Sequence, residues 1–385
     1  MPTIPSIQPQ ELKETIDSGA DVTIVDVRGP ADFDEWHIDG DNVEAVNVPL
    51  TQLQTVNPAE LLNGASEGEV VAVCASGQTS QMAVQMLQQS GIDAKNLQYG
   101  MNGWANLYVY QELETEASAT ILQFSRPSSG CLAYMVVSDD EAVVVDPLLA
   151  FVDQYIEVAR EYGAEITAAV DTHVHADHIS GVRAFATRSS ADVVVPEPAV
   201  ARGIDYAVDY ETVAHGDVIA VGDSTIDVVH TPGHTSGMTS FLVDESVLLS
   251  GDGLFTESVA RPDLEDGDEG AADAAATLYD SLHERILTLD DGTVVAPAHY
   301  SDSADPADDG SYTATLGDLK SKMDALSMPE SEFVEYITAD VPPRPSNHEQ
   351  IIQTNLGQID TPNYVAFQLE LGPNNCAASQ ESMTQ

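Results

Sequence analysis

Residues 172–180 read Thr172-His173-Val174-His175-Ala176-Asp177-His178-Ile179-Ser180. Three histidines and an aspartate fall within six residues. The run before them, Ile166–Val170, is apolar and reads as a strand. The cluster therefore sits on the loop at a strand's end, where side chains can converge. Neutral imidazole and carboxylate are the donors that Zn²⁺ and Fe²⁺ favour. Three later stretches share this build: T-P-G-H-T-S around His234, S-G-D-G around Asp252, and A-P-A-H-Y around His299. Each follows an apolar strand-like run and lies beside Gly or Pro. Five of the ten histidines fall in these motifs, which is too ordered for chance placement on a surface.

Outward from the cluster, strand-like runs occur at Ala119–Phe124, Leu132–Val137, Ala142–Val145, Val193–Val195, Thr225–Val229 and Val247–Ser250. Val152–Tyr162, Thr315–Leu326 and Glu330–Ile337 read as helices, with Ser327 and Glu330 spaced as a capping box. Towards the N-terminus, Gln111–Ser118 (QELETEAS) is acidic and lacks apolar periodicity, as a linker does. Before it, Asp21–Asp26 and Glu69–Cys74 read as buried parallel strands, and Ser80–Gln89 as a helix stopped near Gly91. The expected organisation is a first α/β domain over 1–112, a linker over 113–118, a second domain over 119–345, and a C-terminal extension and tail over 346–385. The last stretch, PNNCAASQESMTQ, reads as a mobile tail. No internal repeat is visible.

The 385 residues carry 13 Lys and Arg against 64 Asp and Glu, a net charge of −51. Nucleic acid and anionic membrane surfaces are disfavoured partners, because both need clustered cations. No apolar run approaches the ~18 residues of a membrane helix, and the first residues do not read as a signal peptide. Three distant cysteines, Cys74, Cys131 and Cys376, make no disulfide framework. With 43% hydrophobic residues the chain is not a disordered polyanion. Such charge repels itself in dilute buffer, whereas near 1 M salt the Debye length is about 3 Å. The expectation is a cytoplasmic enzyme of a halophilic archaeon.

The order H-x-H-x-D-H, G-H, G-D and a final His resembles the metallo-β-lactamase fold superfamily over about residues 118–345. The resemblance implies an αββα sandwich with metal at one edge, and it does not by itself give the reaction. Two branches fit. In the glyoxalase II type, a binuclear thioesterase, His173, His175, His234 and Asp252 would hold one metal. Asp177, His178, Asp252 and His299 would hold the second, and a bridging hydroxide would attack a thioester carbonyl. In the persulfide dioxygenases, His173, His234 and Asp252 would hold a single Fe²⁺. His175, Asp177, His178 and His299 would then stand around the ligands or hold a second metal. Zn²⁺ is the other ion this donor set accepts. The segment after Asp252 favours the dioxygenase branch. Arg261 and Asp263 form an R-x-D pair that resembles the one in those enzymes, where a cation would suit an anionic persulfide. Thr277–Leu289, V-P-P-R-P near 342–345, Asn355 and Gly357 carry the same likeness. His283, His215, His230 and His348 read as structural or exposed, and Cys131 as a core residue.

The first domain resembles the rhodanese family through Asp26-Val27-Arg28, Glu35–Ile38, Asn47–Pro49 and Tyr99–Trp104. Its deciding element is Cys74-Ala75-Ser76-Gly77-Gln78-Thr79-Ser80, between a strand and a helix. There, loop N–H groups can surround the sulfur, favour the thiolate and stabilise a persulfide. Asp26 and Arg28 read as a structural pair. The loop carries no Lys or Arg, although active members often carry one where Thr79 stands. This weighs against thiosulfate as donor more than against persulfide transfer. Together the resemblances imply an iron-dependent oxidation of a low-molecular-weight thiol persulfide by O₂ to sulfite, with Cys74 moving sulfur. The alternative is the binuclear thioesterase. The sequence leaves a homodimer undecided.

Overall fold

The computed structural model describes residues 4–58, 68–301, 304–339, 341, 343–345 and 347–371. The tail with Cys376, and Pro342, lie outside them. The chain forms two compact units. One comprises residues 1–108 with 126–129; the other comprises 109–125 with 130–385.

In the first unit, strands β1 (Ser6–Ile7), β2 (Val22–Asp26), β3 (Val43–Asn47), β4 (Glu69–Val73) and β5 (Ala94–Leu97) pair in the order β1-β5-β4-β2-β3, all parallel. Val22–Asp26 is buried at every position, as expected of a strand covered on both faces. The helix Thr79–Gln89 buries Ala83, Val84 and Leu87 against Val25, Ala72 and Ala94. This packing fixes the turn that follows β4, which begins at Cys74. Gly77 in that turn has φ +75, and a Cβ there would come within 2.7 Å of Tyr99 N.

The second unit holds two mixed sheets. The first runs β12-β11-β10-β9-β8-β7-β6. Its strands are β6 (Val109–Glu112), β7 (Thr120–Arg126), β8 (Cys131–Ser138), β9 (Glu141–Val145), β10 (Glu165–Val170), β11 (Asp192–Pro196) and β12 (Glu211–Val213). The second runs in chain order: β13 (Val218–Val221), β14 (Ser224–His230), β15 (Thr239–Val243), β16 (Val247–Gly251), β17 (Val294–Pro297) and β18 (Ala314–Thr315). Residues 109–112, which the sequence groups with the first domain, are thus an edge strand of this unit. Tyr134, Val136, Val143, Val145 and Val170 from one sheet form a core with Ile226, Val228, Phe241, Val243 and Leu249 from the other. The outer face of the second sheet, through Leu242, Leu248 and Val295, packs on Ala275, Leu278, Leu316, Leu319 and Phe333 of the helices Gly267–Ser281, Leu316–Lys322 and Glu330–Ala339. Tyr155 and Phe185, from the helices Val152–Glu161 and Val182–Arg188, are fully buried aromatics of the other helical layer. The αββα expectation holds.

Two local expectations change. The helix read over Thr315–Leu326 breaks at Met323, where the backbone turns extended before a 3₁₀ turn over Asp324–Ser327. The Ser327 hydroxyl donates to Asp324 O at 2.9 Å, so it makes no capping box with Glu330.

Candidate metal centre and sulfur site

The metal-type residues come from the ends of four strands of the second unit. The loop after β10 supplies His173, His175, Asp177 and His178; β14 leads to His234, β16 to Asp252 and β17 to His299. All seven are buried. They fall into three groups, each with its ligand atoms within 4.8 Å of one another: His173, His234 and Asp252; Cys131, Asp177, His178 and His299; Asp146, Asp171 and His175.

The first group has the chemistry of a cation site. Asp252 Oδ2 lies 3.6 Å from His173 Nε2 and 3.4 Å from His234 Nε2. None of these three buried atoms has a hydrogen-bond partner. The far side of each ring shows why. His234 Nδ1–H donates to Arg261 O at 3.0 Å, which leaves Nε2 as a bare lone pair. The Thr172 hydroxyl gives its one proton to Asp146 Oδ2 at 3.0 Å, so it accepts from His173 Nδ1–H at 2.9 Å. His173 Nε2 is therefore a lone pair too. Burial drives both imidazoles below their ordinary pKa, His173 far below, keeping them neutral. Burial works against an ionised Asp252, but His299, which hydrogen-bonds it, outweighs this and holds the carboxyl well below its usual range. Two lone pairs and a carboxylate oxygen thus face one another in a dry site, an arrangement that a bound cation satisfies. The residues fit the metal that the sequence implies.

The other groups are tied together in part, and each keeps unpartnered buried atoms, Asp177 Oδ1 and His178 Nε2 in one and Asp171 Oδ1 and His175 Nδ1 in the other. His299 spans the two carboxylates, Nδ1 on Asp252 Oδ1 and Nε2 on Asp177 Oδ2. Asp177 Oδ2 also faces His178 Nδ1 and the Cys131 thiol, both at 3.2 Å. Cys131 is buried as expected, but its sulfur touches this network and is not mere core. His175 is held by its Nε2, 3.0 Å from Asp146 Oδ1, while its ring lies 4.2 Å from that of His173 and its buried Nδ1 has no partner.

Arg261 is not a free cation beside the metal-type residues. It is 1% exposed. Its Nε and Nη2 clasp Asp263 at 2.8 and 2.9 Å, and Nη1 donates to Pro343 O. The pair instead fixes the carbonyl that orients His234. His283 bonds Tyr279 O and stacks on Tyr279, a structural role.

Sequence reasoning missed three supports. Asp146 ends β9 with left-handed φ 54 and accepts from Thr172 N, Thr172 Oγ1 and His175. Asn355 Nδ2 donates to the carbonyls of His175 and His178, while its Oδ1 accepts from Ser180 N. Glu370 Oε1 accepts from Ile179 N at 2.8 Å. An Asp-Pro closing an apolar run was a usable signal for Asp146. Asn355 carried only a family likeness, and Glu370 gave none.

In the first unit, Cys74 is 5% exposed. Its Sγ lies 3.2 Å from Ser80 Oγ. Burial pushes the thiol pKa up, but the Ser80 hydroxyl and the N–H groups of Ser80, Ser76 and Gly77 bring it below the ordinary value. Asp26 and Arg28 form the expected buried pair at 2.7 Å.

These two sites can be set beside known proteins. Residues 127–299 match the metallo-beta-lactamase superfamily, and residues 8–107 the rhodanese-like domain. The crystal structure of a metallo-beta-lactamase from Staphylococcus aureus subsp. aureus COL is 30% identical, with a TM-score of 0.56 over 63% of this chain and 73% of that one. The chain belongs to the metallo-beta-lactamase superfamily. Within that superfamily, it is 26% identical over 251 residues to the mitochondrial persulfide dioxygenase ETHE1 of Mus musculus, covering 64% of this chain and 91% of the relative. The crystal structure of ETHE1 from Myxococcus xanthus is 27% identical, with a TM-score of 0.53 over 65% of this chain and 99% of that one. A hydroxyacylglutathione hydrolase of Rhizobium meliloti (strain 1021) is 30% identical over 162 residues, 39% of this chain and 58% of the relative. Among the described residues, no helix is long and apolar enough to cross a membrane.

Proposed function

We propose that the chain is an iron-dependent persulfide dioxygenase with a sulfur-carrying cysteine: R–S–SH + O₂ + H₂O → R–SH + SO₃²⁻ + 2 H⁺. The observation that carries this reading is the set of three unpartnered donors, His173 Nε2, His234 Nε2 and Asp252 Oδ2. Two imidazoles and one carboxylate form the ligand type of mononuclear oxygen-activating Fe²⁺ sites, which keep open positions for substrates. Likeness to the mouse persulfide dioxygenase over 91% of its length supports the same reading, against 58% for the hydrolase.

His173, His234 and Asp252 would hold the metal. Bound there, Fe²⁺ supplies the redox chemistry by which dioxygen reacts with a sulfur anion. The protein's part is orientation and water exclusion. Arg261 O and Thr172 Oγ1 fix the two imidazole tautomers, and His299 fixes the Asp252 carboxylate. The seven metal-type side chains are at most 8% exposed, so bulk water does not compete at this centre. Cys74, on its loop in the first unit, would hold sulfane sulfur as a persulfide.

One observation favours the binuclear thioesterase as the second reading: His175 Nδ1, His178 Nε2 and Asp177 Oδ1 also lack partners. Metal analysis of the anaerobically loaded chain separates the two. One ion per chain, with no hydrolysis of S-lactoyl thiols, is expected. Two ions per chain with thioester turnover would replace the proposal.

A further inference from the structure

The charges around Cys74 bear on what it exchanges sulfur with. The first unit contains four cations, Lys13, Arg28, Lys95 and Arg126, against fifteen Asp and Glu. Each is engaged: Lys13 Nζ lies 2.6 Å from Asp17, Arg28 Nη2 2.7 Å from Asp26, Lys95 pairs with Glu69, and the buried Arg126 donates from Nε to Ala105 O at 3.0 Å. None lies on the 74–80 loop. The groups that hold Cys74 Sγ are neutral dipoles, the N–H groups of Ser76, Gly77 and Ser80 and the Ser80 hydroxyl. That hydroxyl is also 2.7 Å from Asn96 Oδ1, so its single proton serves two acceptors.

Such a cradle suits one negative charge on sulfur. Thiosulfate brings a second charge on sulfonate oxygens, and sulfite is an oxyanion of the same kind. Both call for a cation or a fork of charged donors. At contact distance inside a buried turn, bulk salt does little to replace one. The rim offers something else. Tyr99, whose backbone lies against Gly77, is 68% exposed and held at left-handed φ 61. Its ring is a surface for an organic group, which an inorganic donor lacks.

We propose that Cys74 exchanges sulfane sulfur between organic thiols: an organic persulfide loads it, an organic thiol unloads it, and thiosulfate and sulfite are poor partners. This rests on the reading of Cys74 as a sulfur carrier. In loading, the Cys74 thiolate attacks the terminal sulfur of R–S–S–H. The Sγ–S bond forms as the S–S bond of the donor breaks, and RS⁻ leaves with the electron pair. Cys74–S–S–H remains, and its proton passes to water. In unloading, a second organic thiolate attacks the outer sulfur, the Sγ–S bond breaks and the Cys74 thiolate leaves with the electron pair, so no oxidant or reductant is consumed. The reaction that feeds this site is therefore one that builds organic persulfides.

The test uses the full-length, reduced protein in molar salt. Glutathione persulfide or thiosulfate is added at equal concentration, and the gain of one sulfur atom on Cys74 is followed by mass spectrometry. The persulfide is expected to load at least about tenfold faster, the scale of one unscreened charge at contact. Thr79→Arg, or Gln78→Arg, puts a cation on an exposed loop position. Either should raise the thiosulfate-to-persulfide rate ratio about tenfold. Equal rates in the parent protein would overturn the inference, as would an unchanged ratio in both folded variants. No loading from either donor would remove the sulfur-carrier reading itself, and this inference with it.

Discussion

Asn355 is the place to test how the metal-type loop is held. It is 3% exposed and makes three hydrogen bonds to main-chain groups of residues 175–180, at 3.0, 2.8 and 2.9 Å. Asn355→Ala leaves two buried carbonyls and one N–H unpaired. At about 1 kcal/mol each, the cost is about 3 kcal/mol. For a unit of this size that is a fall in Tm of about 6–12 °C. The same loop carries His173, so metal affinity should fall about 10- to 100-fold. Asn355→Asp separates bonding from volume. It keeps the acceptor for Ser180 N but sets a carboxylate against two carbonyls, and should be at least as damaging. The assays are calorimetry in molar salt, with and without metal, and competition titration with Co²⁺. Asn355→Ala with the parent's Tm and metal affinity would refute the argument.

Further outcomes follow from the same contacts. Cys74 should be alkylated with a pH midpoint below that of a free thiol, since donors stabilise its thiolate and reactivity rises as pH climbs through the lowered pKa. Ser80→Ala should move the midpoint up, and an unmoved midpoint would remove Ser80 from the account. Asp263→Ala strands the buried Arg261 guanidinium and should cost about 3–5 kcal/mol, together with weaker metal binding through His234. A variant with unchanged Tm would show that the pair holds nothing. The Tm of the whole protein should rise between low and molar salt, because 64 carboxylates face 13 cations. A flat or falling Tm contradicts the salt-adapted reading.

Much of this was legible in the sequence because the signals are local. A strand followed at once by a ligand-rich loop places His173, and the strands ending near Gly251 and Pro297 place Asp252 and His299 in the same way. The grouping of the ligands was less legible. That His175 gives its Nε2 to Asp146 while its ring lies against His173 depends on a carboxylate 29 residues upstream at another strand's end. Arg261 read as a cation for substrate because sequence shows its charge but not Asp263 folded onto it. Asn355 and Glu370 bind the loop from 175–191 residues away, contacts that only tertiary packing makes. The broken helix at Met323 is a similar case, since nothing in its local pattern marks the turn.

Oxygen uptake tests the central claim most directly. The anaerobically purified, Fe²⁺-loaded protein is mixed in molar salt with a thiol persulfide and O₂. The account predicts rapid uptake with one sulfite formed per O₂, abolished by His234→Ala and retained by Cys74→Ser. No uptake with iron verified in the site, or uptake that survives His234→Ala, would contradict it.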